Sequence, residues 1–267
     1  MKNNLLRFSR FPRLLRLAAA CLVPMLMAAN TVHAADEVKG GPLSLIITYH
    51  STPANRVALR EEMEKSRKEL FQHWKEQGIL KDYRLLFNRY VDSSSWDAMA
   101  LLTFSNPADA ERWNKVEQTN PAGLSRKALA LTTAIDTAPA DLVRNNAVTK
   151  APLHPTLMVI PYETMVSADE YLKYADGYVI PQFEGWIQEG VLSRYGIYVN
   201  RYAAGRPWST MVILEYKNDA ALGAREAVVA KVRAKLKENP EWKAISDSKK
   251  NIRAEKLAVI ADATVTP

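Results

Sequence analysis

Cysteine is nearly absent from this 267-residue chain: Cys21 is the only one. It falls in an N-terminal stretch expected to be removed. The remaining chain then has no disulfide, no thiolate nucleophile and no sulfur ligand for a metal. Histidine is scarce as well. Beyond His33 there are only His50, His73 and His154, far apart and outside any H-E-x-x-H or H-x-x-E-H pattern, so no metal site is read from them. No G-x-G-x-x-G, P-loop or G-x-S-x-G sequence occurs, which argues against nucleotide binding and serine-hydrolase chemistry. The N-terminal apolar run "LAAACLVPMLMAAN" falls short of the roughly 20 residues that a bilayer-spanning helix needs.

Lys2, Arg7, Arg10, Arg13 and Arg16 precede that run with no acid among them, and "TVHAAD" follows it. The pattern reads as a secretory leader over residues 1–34, cut between Ala34 and Ala35, and predicts a periplasmic or secreted protein with no stable membrane insertion after cleavage. An uncleaved anchor and a lipoprotein at Cys21 are the alternatives. The apolar residues after Cys21 speak against a polar tether. The leader takes five of the 36 Lys and Arg and none of the 29 acids, so the net charge falls from +7 to +2 on cleavage. The basicity belongs mainly to the leader, no Lys/Arg run interleaved with aromatics remains, and a nucleic-acid partner is disfavoured.

What is present is a repeat. At a constant spacing of 112, "FQHWKEQGILKDYRLLFNRY" (71–90) matches "FEGWIQEGVLSRYGIYVNRY" (183–202) without a gap, and Trp96, Met99, Leu102 and Asn106 meet Trp208, Met211, Leu214 and Asn218. Twelve identities fall in the 36 positions from 71 to 106. Ordinary residue usage would give about two or three, so two copies of one unit are expected, over residues 35–150 and 151–267.

Each copy reads as a strand (42–50; 155–163), a helix (56–77; 167–189), two strands joined by a hairpin (81–91 and 96–104; 193–203 and 208–216), a second helix and a closing strand. Leu59, Met63, Leu70 and Trp74 give the first helix an apolar stripe. Gly78 and Gly190 sit where a helix end favours positive φ, and Asn106 and Asn218 where a helix start favours a cap. The order β-α-β-β-α-β is the ferredoxin-like split unit, whose sheet keeps both helices on one face. The other face must be buried, and a second copy can bury it. The predicted fold class is therefore α+β: two tandem ferredoxin-like repeats with antiparallel sheets packed face to face. The charged stretches "REEMEKSRKEL" and "KVRAKLKENPEWK" read as solvated helix faces, and residues 137–155 as a closing strand followed by a linker.

These landmarks, W-x3-G-x-L-x2-Y in both copies together with the element order, resemble the dimeric α+β barrel superfamily in its tandem-duplicated form, over residues 42–265. The resemblance implies an intramolecular pseudo-dimeric barrel. It also implies a range of activities: cofactor-free monooxygenases, lactone isomerases, haem-dependent peroxidases and chlorite dismutases, and plain binding or stress proteins. Haem-binding relatives use a proximal histidine in their C-terminal half, and no histidine follows His154 here.

Strand alternation puts Tyr83, Leu85, Phe87 and Arg89 on one face and Arg84, Leu86, Asn88 and Tyr90 on the other; the second copy sorts Gly196, Tyr198, Asn200 and Tyr202 with the latter set. The apolar set suits the helix-covered face. The expected site is an inter-sheet pocket lined by His50, Asn88, Tyr90, Tyr162, Asn200 and Tyr202, with Tyr198 and Arg84 on the same face and Trp96 and Trp208 at the mouth. In it His50 would act as base and Asn88 and Asn200 as oxyanion donors. The expected ligand is a small, partly apolar molecule, with no cofactor and with a homodimer left open. Against this stands a bracing role for "NRY" and the tryptophans, which their presence in both copies favours.

Overall fold

The computed structural model describes residues 43–264; the expected leader and its cleavage point lie outside them. In chain order the elements are β1 (Leu43–Ser51), α1 (Arg56–Ser66), α2 (Gln72–Glu76), β2 (Asp82–Asn88), β3 (Ala98–Thr103), α3 (Pro107–Thr119), α4 (Arg126–Leu131) and β4 (Thr132–Ala147). There follow β5 (Thr156–Thr164), α5 (Ala168–Tyr174), α6 (Ile180–Gln188), β6 (Leu192–Asn200), β7 (Thr210–Tyr216), α7 (Asp219–Gly223), α8 (Arg225–Leu236), α9 (Pro240–Ser248), β8 (Arg253–Glu255) and β9 (Val259–Ala263). Among the described residues no helix is long and apolar enough to cross a membrane.

The strands run in the order β7-β6-β4-β1-β3-β2-β9-β5, and β5 pairs back onto β7, so eight antiparallel strands close a barrel. The short β8 adds to the edge of β5 beyond β9. The expectation of two sheets stacked face to face is corrected in one respect. Their edges are joined through hydrogen bonds, β4 to β6 and β2 to β9. Closure removes the free edges that stacked sheets would leave.

Local chemistry accounts for the elements. Leu59, Met63 and Trp74 are buried along α1 and α2, and Leu70 packs against the same cluster. A π-helical turn (Arg67–Phe71) separates the two segments and brings Phe71 onto the buried stripe; a second (Ala175–Val179) stands between α5 and α6. Gly78 and Gly190 end α2 and α6 at φ +66° and +80°. The Oδ1 atoms of Asn106 and Asn218 accept from Asp109 N and Ala221 N, both at 2.9 Å, capping α3 and α7.

Three apolar cores result. One lies between the helices and β1–β3, centred on Tyr49, Met63, Phe71 and Trp113. A second lies between the later helices and β5–β7, centred on Tyr171, Tyr178, Trp186 and Tyr216. The third fills the middle of the barrel with Ile46, Leu86, Met99, Leu101, Leu157, Val159, Met211 and Ile213. Two elements differ from expectation. The strand β4 begins at Thr132, well before the predicted start, and runs through Pro139, whose carbonyl accepts from Arg201 N at 3.0 Å just past the end of β6. Its missing N–H therefore falls outside the β1 ladder. "NPEWK" belongs to a separate helix, α9, whose Trp242 is buried against Tyr178.

Candidate functional site

Inward-facing residues of β1 and β4 meet the hairpin ends at one mouth of the barrel. There a pocket of about 390 Å3 is bounded by the buried Ile46, Trp96, Asn200, Trp208 and Met211 and by the more exposed His50, Asp136, Arg206 and Lys256. The volume lies within the range of small-molecule pockets, as does the mix of an apolar floor with a few polar groups. Both tryptophans are buried. His50 Nε2 stands 3.7 Å from Asp136 Oδ2, so one imidazole nitrogen faces a carboxylate.

The opposite end of the barrel carries a different cluster. Arg84 Nη2 donates to Glu215 Oε2 at 2.5 Å, Ser193 Oγ donates to Glu215 Oε1 at 3.1 Å, and Arg194 Nε lies 4.0 Å from Glu215. Glu215 is only 4% exposed. Tyr198 folds over Gly196, where an added Cβ would lie 3.1 Å from its ring, and burial pushes its hydroxyl pKa up. A cavity of about 290 Å3 opens there.

No protein-family profile matches the sequence, and no curated protein sequence does either. Solved structures do match. An anthrone oxidase-like protein superposes with a TM-score of 0.55 at 12% identity, over 84% of this chain and 92% of that one. A proposed monooxygenase from Lactobacillus acidophilus NCFM gives 0.52 at 14% identity, over 84% and 93%. Another from Fusobacterium nucleatum gives 0.52 at 9%, over 85% and 94%. The chain shares with these structures a closed antiparallel α+β barrel. At these identities the likeness concerns the α+β barrel itself.

Within this α+β barrel the residues expected at one site are dispersed. His50, Trp96, Trp208 and Asn200 come together at the first mouth; Arg84 and Tyr198 stand at the other. Asn88 and Asn200 are buried braces. Their Nδ2 atoms donate to Trp96 O at 3.0 Å and Trp208 O at 3.2 Å, and their Oδ1 atoms accept from Tyr90 N and Tyr202 N, both at 3.0 Å. Each hairpin thus engages the carbonyl oxygen and one of the two N–H groups of the amide expected to serve an oxyanion. Tyr90 and Tyr202 point outward, 62% and 68% exposed. Arg89 reaches Asp262 on β9 at 2.6 Å, and Arg201 reaches Asp141 on β4 at 2.6 Å, so "NRY" ties each hairpin to a strand from the other part of the chain.

Tyr162 also stands elsewhere. It belongs to the helix-side core, with Arg253 Cζ 3.9 Å from its ring centroid. The reason is a one-residue change of spacing. Tyr49 pairs with Ala98 and Tyr162 with Thr210, so the first strands correspond at a spacing of 113 while the hairpins correspond at 112. A shift of one residue turns every side chain to the other face, and it is Leu157, Val159 and Pro161 that face inward. Asp136 lies on β4 ahead of the expected start of that strand, and Arg206 lies between the two expected hairpin strands, where residue type alone marks no function.

Haem fits poorly. His50 and His154 each border a cavity. His154 borders a groove walled by Arg60, Lys65 and Lys68, without the apolar faces a macrocycle needs. His50 stands at a rim beside Asp136 and not over the apolar floor. No group of His, Asp and Glu able to hold a metal occurs among the described residues.

Proposed function

We propose that this chain is an exported, duplicated α+β barrel that binds a small aromatic or enolisable molecule in the His50 pocket and oxidises or isomerises it without a metal or nucleotide cofactor. The observation carrying this reading is the pocket itself, with its apolar floor of Trp96, Trp208 and Met211 and an imidazole at the rim, 3.7 Å from Asp136. In the oxygenase version an anthrone loses its acidic C–H proton to His50, and the enolate takes up O2. The hydroperoxide then loses water to leave the quinone, so one O2 is consumed and one water formed. The α+β barrels named above as a proposed monooxygenase and as anthrone oxidase-like support trying this chemistry first.

The test is O2 uptake with an anthrone by residues 35–267. The expected result is turnover that falls about 10²-fold or more in His50→Ala, as loss of a general base does, with ligand binding retained. Equal turnover in the variant overturns the role of His50. A second reading, a non-catalytic interaction protein, is favoured by the packed middle of the barrel. Tight probe binding without O2 uptake would point to a binding module, and neither binding nor uptake to a filled barrel.

A further inference from the structure

Charge is unevenly placed at the mouth of the pocket, and one guanidinium is left without a partner among the described residues. Lys256 Nζ is held by Glu163 at 2.6 Å, and Asp136 faces His50. Arg206, exposed on the loop that leads into β7, has no partner for its guanidinium among the described residues; only its backbone N–H is engaged, by Ala203 O at 2.9 Å. At the position 112 residues earlier the opposite lip carries Ser94, followed by Ser95. One lip is thus cationic and the other neutral, while the floor between them is apolar. Asp136, beside His50, is the one acid lining the pocket, and Glu163 already offsets Lys256, so Arg206 is the cation left for a ligand.

We infer that the ligand of this pocket is an aromatic anion, with its ring system on Trp96, Trp208 and Met211 and its carboxylate, sulfonate or phenolate at Arg206. The inference rests on the binding role proposed above for the His50 pocket and names its ligand class. Geometry supports the orientation: an anionic substituent anchored at Arg206 keeps the ring over the floor and turns a neighbouring acidic proton toward the His50 side of the rim. A guanidinium suits this task because it offers several donors to one planar or tetrahedral anion.

Two dyes with one aromatic framework test it: 1-anilinonaphthalene-8-sulfonate, which is anionic, and N-phenyl-1-naphthylamine, which is neutral. Binding to the full mature chain is followed by dye fluorescence. The expected result is that both bind and the sulfonate binds roughly 2- to 5-fold more tightly, as an exposed charge pair allows. That preference should vanish in Arg206→Ala, and also in about 1 M salt, where the Debye length is about 3 Å. Arg206→Glu should reverse it. Because Arg206 lies on an exposed loop, these variants should fold; unchanged circular dichroism verifies this. Equal binding of both dyes to the unaltered chain overturns the anion preference and leaves the pocket reading standing. A preference that survives Arg206→Ala overturns the assignment to this lip. If neither dye binds, the pocket reading fails, and this inference fails with it.

Discussion

Asn88 and Asn200 show how a residue that looks chemical can be structural. Each amide is buried, and each uses a donor and an acceptor on its own hairpin. Replacing either by alanine leaves a buried carbonyl and a backbone N–H without partners, a loss of about 1–3 kcal/mol. The expected outcome for Asn88→Ala is a lower urea midpoint at unchanged slope. Tyr90→Ala and Tyr202→Ala, at exposed positions, should stay within roughly 0.5 kcal/mol of the parent. Loss of turnover in Asn200→Ala with stability intact would return that residue to the catalytic role first expected. Repetition within the sequence accords with these bonds, because both hairpins carry the same pair. The uncompensated Arg206 carried no such mark.

The helix and strand order was legible because glycine stops, asparagine caps and apolar periodicity agree with the tertiary fold at each boundary. Side-chain direction on β5 was not legible. The identities that define the 112 spacing begin only at Phe71 and say nothing about a one-residue change upstream, yet that change moves Tyr162 from barrel interior to helix side. α9 was hidden by its charge, since Trp242 is the one residue of "PEWKAISDS" that is buried. Packing between α6 and α8 yields a sharper expectation. A Cβ on Gly185 would stand 2.5 Å from Val232 Cγ1, and valine's branched side chain cannot swing aside. Gly185→Ala should therefore lower stability by about 1–3 kcal/mol, despite a helix-propensity gain of about 1 kcal/mol. Adding Val232→Ala should recover part of the loss. Thermal melts of the two variants check this.

Across the whole barrel, Arg84 on β2 and Glu215 on β7 join through the interior. Arg84→Ala leaves the buried Glu215 carboxylate with Ser193 and the more distant Arg194 only and is expected to cost about 1–3 kcal/mol, whereas replacing both partners by leucine should cost less; equal losses in the two variants would contradict this. Buried phenols set the alkaline limit. Burial raises the pKa values of Tyr49, Tyr162, Tyr174, Tyr195, Tyr198 and Tyr216, with a nearby Glu184 adding to the effect at Tyr195. An unfolded chain ionises these groups near pH 10, and the folded one only later. Their contribution is thus fully present below about pH 10 and is lost as pH rises from there toward the folded values. Urea midpoints should stay flat up to roughly that pH and fall above it, with tyrosinate absorbance from these residues appearing together with unfolding.

The meeting of positions 112 apart at one mouth of the barrel has a consequence for counting. Trp96 and Trp208 border a single cavity, as do Ser94 and Arg206. Two identical chains forming such a mouth would present two arginines or two serines to one another, and a ligand could enter in either of two equivalent orientations. One covalent chain allows each lip its own residue, so the two orientations differ in energy. The stoichiometry expected for this mouth is one ligand per chain in one preferred pose, which a titration of dye against protein concentration would read as a single binding event.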